Sequence, residues 1–260
     1  MIPTLVFILG LIFGSFMNVL IARLPDGVSI VTPSSSCPAC ASKIRFYDNI
    51  PLLSFILLRG KCRNCGEKIS LKYPLVEFVT AFLFLSVYIK IGFSLILIKY
   101  LIFVFLLLAA AFTDLFTAFD EKYECGIIPD EISIGGIGAG LILSFFFNPG
   151  IINSVIGAAA GFLILWVPSF VYYILTKKEG MGGGDLKLFA MIGAFLGFKP
   201  LFFILFFSSL AGVIVGLPFI VWKKSRNFPI PFGPFISLAT IFYIFYGNRI
   251  IDIYLNKMYL

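Results

Sequence analysis

The chain has 260 residues, 60% of them hydrophobic, a formal net charge of +7 and no histidine, and its mean hydropathy is +1.04. That hydropathy excludes an ordinary soluble domain. The lack of histidine excludes His-assisted serine or cysteine triads, His-liganded zinc and His proton relays, so acid–base chemistry falls to Asp, Glu, Lys, Tyr or Cys. The positive balance does not call for a nucleic acid, because Lys and Arg mark the cytoplasmic loops of multi-pass membrane proteins.

Several apolar runs approach or exceed the roughly 20 residues that span a bilayer. They are continuous rather than alternating, which predicts helices rather than a barrel. The first, 2–21, carries Gly14, Ser15 and Asn18, small and polar residues suited to helix packing. No basic segment precedes it and Arg23 follows it, so it reads as a retained span and not a cleavable signal. The segment 23–74 holds eight Lys and Arg against Asp26, Asp48 and Glu67. This predicts a cytoplasmic loop and an N-terminus outside. Further spans are predicted at about 75–89 (with Glu77 near its start), 95–113, 132–147, 151–175, 186–198, 201–222 and 235–254. With the N-terminus outside, the segments 23–74, 114–131, 176–187 and 223–234 face the cytoplasm and hold 15 of the 20 Lys and Arg. The expectation is an all-α membrane protein of about eight transmembrane helices, with a small zinc-binding cytoplasmic domain between helices 1 and 2.

The zinc expectation rests on Cys37-Pro38-Ala39-Cys40 and Cys62-Arg63-Asn64-Cys65, two CxxC pairs separated by 21 residues. Four thiolates at this spacing suit one tetrahedral zinc with no open position, a structural site. A loop this short has little core of its own, and a metal would supply folding free energy. The alternative is a redox pair or unligated thiols. Cys125 has no partner in the sequence.

Two aspartates bound apolar runs. Asp114 ends the third predicted span, and Asp185 opens the sixth behind Gly180-Met181-Gly182-Gly183-Gly184. Glycines there admit positive φ and a close approach of other chain. In the eight-span topology both aspartates lie at the cytoplasmic surface. As a coupled pair sharing one proton, one carboxylate would activate water while the other polarises a carbonyl. The alternative is that both residues cap helices. The segment 114–131 also holds Asp120, Glu121, Glu124, Asp130 and Glu131 against the single Lys122, either a surface for a basic peptide or a solvated loop.

Taken in order, these residues resemble the type IV prepilin leader peptidase family, GxGD membrane aspartyl proteases of pilus, type II secretion and competence systems. The resemblance runs from Gly10-Leu11-Ile12-Phe13-Gly14-Ser15-Phe16-Met17-Asn18-Val19 and Arg23-Leu24-Pro25, through Asn49-Ile50-Pro51, Arg59-Gly60-Lys61-Cys62 and Lys72-Tyr73-Pro74-Leu75-Val76-Glu77. It continues with Ile128-Pro129-Asp130 and ends with Gly182-Gly183-Gly184-Asp185 and Lys187. It implies Asp114 and Asp185 as catalytic residues, supported by Gly182, Gly184, Lys187 and Asp130. It also implies cleavage of the basic leader of prepilins or pseudopilins at the bacterial cytoplasmic (inner) membrane, then N-methylation of the new N-terminus from S-adenosylmethionine. The implied division is a first helix at 1–22, a tetracysteine domain at 23–74 and a seven-helix peptidase domain at 75–260. One spacing departs from the family pattern. Asp114 stands 16 residues before Asp130 and Asp120 stands 10 before it; the shorter interval is nearer the family's, so Asp120 rivals Asp114 as the first aspartate.

A reading from another class is a proton- or ion-coupled transporter using the same carboxylates. Against it, these acids are placed at the surface rather than the midplane, and no inverted repeat is evident. A third reading is a non-enzymatic assembly subunit with a zinc-bearing docking loop.

Overall fold

The structure is a computed structural model and describes residues 1–223, 230–247 and 249–250. Lys224, Arg226 and Lys257, and the part of the eighth expected span beyond 250, lie outside the described residues. The helices are α1 (Ile2–Arg23), α2 (Leu53–Leu57), α3 (Lys72–Ile91), α4 (Leu95–Ala118), α5 (Asp130–Leu143), α6 (Ile151–Thr176), α7 (Gly183–Leu196), α8 (Leu201–Lys223) and α9 (Gly233–Phe242). Among the described residues the only β pairing is two isolated bridges. Among the described residues four helices are long and apolar enough to cross a membrane: Ile2–Asp26, Lys72–Ile91, Leu95–Ala118 and Ile151–Thr176. The chain divides into two compact units, Met1–Phe105 and Leu106–Leu260.

In the first unit α1 packs on α3. The contact is close because α1 offers glycines. A Cβ on Gly10 would lie 2.5 Å from the Cα of Ala81, and one on Gly14 would lie 2.6 Å from the Cα of Glu77. Small residues let membrane helices approach in this way. At the end of the helix pair, Asn18 donates to the Tyr73 carbonyl (3.1 Å). The buried Glu77 carboxylate accepts the Leu52 amide at 2.8 Å, which ties the cysteine-bearing segment to α3.

The second unit is built around α7. Leu188, Phe189, Met191, Ile192, Ala194 and Phe195 are wholly buried, with α5 and α6 packed against them and α8 and α9 in contact. Gly157 of α6 and Gly193 of α7 each sit where a Cβ would overlap the other's backbone. With 14 residues, α7 is about 21 Å long, short of the ~30 Å hydrocarbon core. The buried side chains make the expected sixth span a short helix covered by its neighbours rather than by lipid.

Candidate active site and metal cluster

The second unit brings Asp114 and Asp185 together. The sequence places Asp114 at the end of its helix, but α4 continues through Ala118. This last turn persists because it is buried. Thr113, Asp114, Thr117 and Ala118 are all enclosed, Asp114 at 4% exposure. The Thr113 and Thr117 hydroxyls satisfy themselves on the carbonyls of Ala109 and Thr113, each at 2.7 Å. The Thr117 hydroxyl also accepts the Ile127 amide at 2.8 Å. That bond folds the chain after α4 back onto the helix and lays Gly126 against the Asp114 carboxylate. A Cβ on Gly126 would overlap Asp114 Oδ1.

From the other side the first residue of α9, Gly233, donates its amide to Asp114 Oδ2 at 2.9 Å. A Cβ there would stand 2.7 Å from Oδ2 and 3.0 Å from Ile128 Cδ1. Asp114 is thus held between two glycines, one against each oxygen. Such a buried, charge-capable hydrogen bond orients a carboxylate firmly.

Asp185 lies in the first turn of α7, whose N-cap is Gly182. The aspartate makes no cap: Oδ1 is buried without a hydrogen-bond partner. It lies within electrostatic reach of Asp114. The glycines before it do not use positive φ. The left-handed glycines are Gly27, Gly60, Gly66, Gly92, Gly150 and Gly197, and Gly182 is extended at φ −66°, ψ 141°. Their use is steric. A Cβ on Gly184 would come 2.9 Å from Ile128 Cβ, one on Gly182 would rest 3.5 Å from Asp185 Oδ2, and one on Gly183 would meet nothing within 4 Å. Ile128 therefore touches both Gly184 and the turn of Gly233, and it keys α7 to the Asp114 cradle. Lys187 Nζ and Asp130 Oδ1 pair at 2.6 Å across the N-termini of α7 and α5.

Asp120 is exposed and caps its own turn by accepting the Lys122 amide (3.0 Å). Asp114, and not Asp120, is the aspartate beside Asp185. Gly126, Gly233 and Thr117 escaped the sequence reading. The available signal for Gly233 was its place in Pro231-Phe232-Gly233-Pro234, a glycine between prolines that opens a helix.

In the first unit the four cysteines converge. Cys37, Cys40, Cys62 and Cys65 place their sulfurs within 4.8 Å of one another, with Cys37 and Cys65 at 3.8 Å. A tetrahedral ion with Zn–S bonds of about 2.3 Å sets its sulfurs about 3.8 Å apart, so the donor set fits. The two pairs are built alike. The Cys37 and Cys62 amides reach the carbonyls of Ser42 and Glu67, and the Ala41 and Gly66 amides return to Cys37 and Cys62. The returning residue is left-handed in both, Ala41 at φ 55° and Gly66 at φ 74°. Bridges Ser36–Lys43 and Lys61–Lys68 close each knuckle. The Ser42 hydroxyl, 2.9 Å from Cys40 Sγ, favours the thiolate and draws the Cys40 pKa down to about 6. Arg63, inside the second CxxC, forms a bidentate pair with Asp48 (Nε–Oδ2 2.9 Å, Nη2–Oδ1 2.6 Å). Cys125 is exposed and stands outside the cluster.

Helices long and apolar enough to span a membrane, a buried aspartate pair and a tetracysteine cluster define a membrane protein with a carboxylate centre and a metal-type knuckle domain. Residues 8–91 match the model of the bacterial peptidase A24 N-terminal domain, and residues 101–217 match that of the type IV leader peptidase family. A protein of Aeromonas hydrophila named prepilin leader peptidase/N-methyltransferase is 36% identical over 98% of this chain and 94% of its own length. Proteins of that name from Bacillus subtilis strain 168 and Myxococcus xanthus are 37% and 41% identical. They cover 97% and 81% of this chain, and 98% and 61% of their own lengths. The chain belongs to the type IV leader peptidase family, and is an enzyme of that family. No solved structure matches it.

Proposed function

We propose that this chain is a membrane aspartyl endopeptidase that removes the basic leader of prepilins or pseudopilins at the cytoplasmic membrane face. The observation that carries the reading is the buried Asp114–Asp185 pair, with Asp114 fixed by the Gly233 amide and Asp185 Oδ1 left unpartnered. A buried carboxylate oxygen without a partner is costly; a water would satisfy it by donating, and a substrate carbonyl would do so by accepting once that carboxyl is protonated. One carboxylate accepts a proton from water as its oxygen attacks the scissile carbonyl. The other, protonated, donates to the carbonyl oxygen. Collapse of the tetrahedral intermediate breaks the C–N bond, and a proton passes to the departing amine. No covalent bond to the enzyme forms. Gly182, Gly184, Lys187 and Asp130 support the pair.

The new N-terminal amine would then be methylated. The relatives' name supports this step, with S-adenosylmethionine as cosubstrate implied by the family and assigned to no residue. The four cysteines would hold a structural zinc, which closes the knuckle domain and takes no part in cleavage. The eight-span arrangement with the N-terminus outside, in the bacterial cytoplasmic membrane, completes the reading, with the domains at 1–22, 23–74 and 75–260. Its partners are prepilin or pseudopilin substrates and the lipid bilayer.

The test is incubation of purified protein with a prepilin, read by product mass. Asp185→Asn and Asp114→Asn should each lower cleavage by about three orders of magnitude or more, and Asp120→Asn should leave it near wild type. Cleavage by a correctly inserted Asp185→Asn variant at wild-type rate would sink the dyad.

A further inference from the structure

Between α1 and α3 the chain leaves and returns at one end of a helix pair. Gly14 packs on Glu77 and Asn18 bonds the Tyr73 carbonyl, so the C-terminal end of α1 and the N-terminal end of α3 lie side by side. Leu71, Leu75 and Phe78 are exposed at the spacing of one helical stripe. On a helix apolar enough to span a membrane that stripe is the lipid-facing one, and it begins at Leu71. Glu77 lies about 9 Å further along the axis. Its carboxylate, which also bonds Ser15 of α1, accepts the Leu52 amide at 2.8 Å. The bond holds α2, which starts at the next residue, at the level of the first turns of α3, where lipid meets water.

The backbone is strained to put α2 there. Leu52 has φ 57° and ψ −46°, and the Leu53 amide reaches the Pro51 carbonyl at 2.6 Å. This is the rare, strained form of the γ-turn. Such strain persists only where the surroundings over-determine it. Here Glu77 fixes the Leu52 amide, and the buried Ser54 hydroxyl donates to the Tyr47 carbonyl at 2.9 Å and accepts the Ile50 amide at 3.1 Å. With Ser54 turned inward, Leu53, Ile56 and Leu57 share the outer face at i, i+3 and i+4, 50%, 68% and 72% exposed. Arg59 and Lys61 follow α2, both exposed, and neither has an ion pair among the described residues. Over the whole segment 23–74, Lys and Arg outnumber Asp and Glu by eight to three.

We infer that α2 is an interfacial anchor of the cysteine-bearing segment. Leu53, Ile56 and Leu57 enter the acyl region of the membrane that α1 and α3 cross, and Arg59 and Lys61 meet the phosphates of anionic phospholipid. Glu77 is the latch that sets the depth. The occupant of the apolar face is lipid because the latch sets that face at the lipid-facing level of a spanning helix, and because the charge beside it is positive. The inference is independent of the peptidase reading.

The test puts the photoreactive residue p-benzoylphenylalanine in place of Ile56 in the full-length protein. The protein is reconstituted in bilayers of phosphatidylcholine and phosphatidylglycerol, irradiated, and its adducts are read by mass. Lipid adducts should form at 56, and not when the same residue replaces the exposed Asn64, between Arg63 and Cys65 at the metal cluster. Phosphatidylglycerol adducts should exceed that lipid's share of the bilayer by about fivefold or more, and Arg59→Gln with Lys61→Gln should bring them near that share. Glu77→Gln, which keeps an oxygen for the Leu52 amide, should retain the lipid adduct, and Glu77→Ala should lower it severalfold. No lipid adduct at 56, adducts there only to a second copy of the chain, or equal lipid yields at 56 and 64 would overturn the anchor. An undiminished phosphatidylglycerol excess in the charge variant would overturn the role of Arg59 and Lys61, and equal yields from the two Glu77 variants would overturn the latch.

Discussion

The cradle around Asp114 makes Gly233→Ala a sharp perturbation. A methyl group at 233 would stand 2.7 Å from Asp114 Oδ2 and 3.0 Å from Ile128 Cδ1. Ordinary contact begins near 3.4 Å, so the carboxylate or the α9 N-terminus must yield by about 0.7 Å. In a packed interior such an insertion costs about 1–3 kcal/mol of stability. The displacement also stretches the 2.9 Å amide bond that orients the carboxylate. Misplacement of a reacting group by about 1 Å costs on the order of a hundredfold in rate, so kcat/KM on a prepilin should fall by about tenfold to a hundredfold. Gly183→Ala is the control. It lies within the glycine run before Asp185, yet its Cβ meets nothing within 4 Å, so its activity should stay within about twofold of wild type. Both variants are to be purified in detergent, checked for insertion and thermal unfolding, and assayed by product mass. A well-inserted Gly233→Ala enzyme with wild-type kcat/KM would refute the argument that this amide positions a catalytic carboxylate. An equal loss in Gly183→Ala would trace the effect to the glycine run at large.

Cys37→Ser should abolish stoichiometric zinc in the purified protein, and the knuckle segment should become protease-sensitive. The metal supplies about 10–16 kcal/mol in comparable sites; a protein that carries no zinc even as wild type would refute the assignment. Asp48 is held below the usual carboxylate range by its hydrogen bonds to Arg63. Its contribution is therefore present above the unfolded value of about 3.9 and lost as pH falls through the folded one. Asp48→Asn should destabilise the first unit at pH 7, and the difference from wild type should shrink as pH falls below the usual carboxylate range; a gap that stays undiminished in acid would contradict this. The Lys187–Asp130 pair is half exposed and worth at most about 1 kcal/mol. Lys187→Asp should lower activity more than stability, and the swap Lys187→Asp with Asp130→Lys should restore part of the rate; no rescue would argue against a positioning role.

Composition and local spacing made the membrane class and the cysteine cluster legible. Lipid selects long uninterrupted apolar runs, and two knuckles need only their own few residues to shape themselves. Family resemblance supplied Asp185. What stayed illegible depended on burial. α4 runs a turn past Asp114 because Thr113, Thr117 and Ala118 are enclosed, and no local signal marks that extension. α7 reads as a short span, and its place as the enclosed centre of its unit was hidden, since an apolar run does not declare whether lipid or protein covers it. The glycines of the 180–184 run read as admitting positive φ or a close approach of other chain; the structure uses the close approach, at Gly184 against Ile128, and not the positive φ.

The sequence by itself determined an all-helical membrane enzyme with a tetracysteine knuckle and an aspartate behind glycines. Only the tertiary structure decided which aspartate stands beside it. The groups that hold Asp114, the Gly233 amide and the space left by Gly126, come from segments 119 and 12 residues away, and chain that distant meets only when the helices pack.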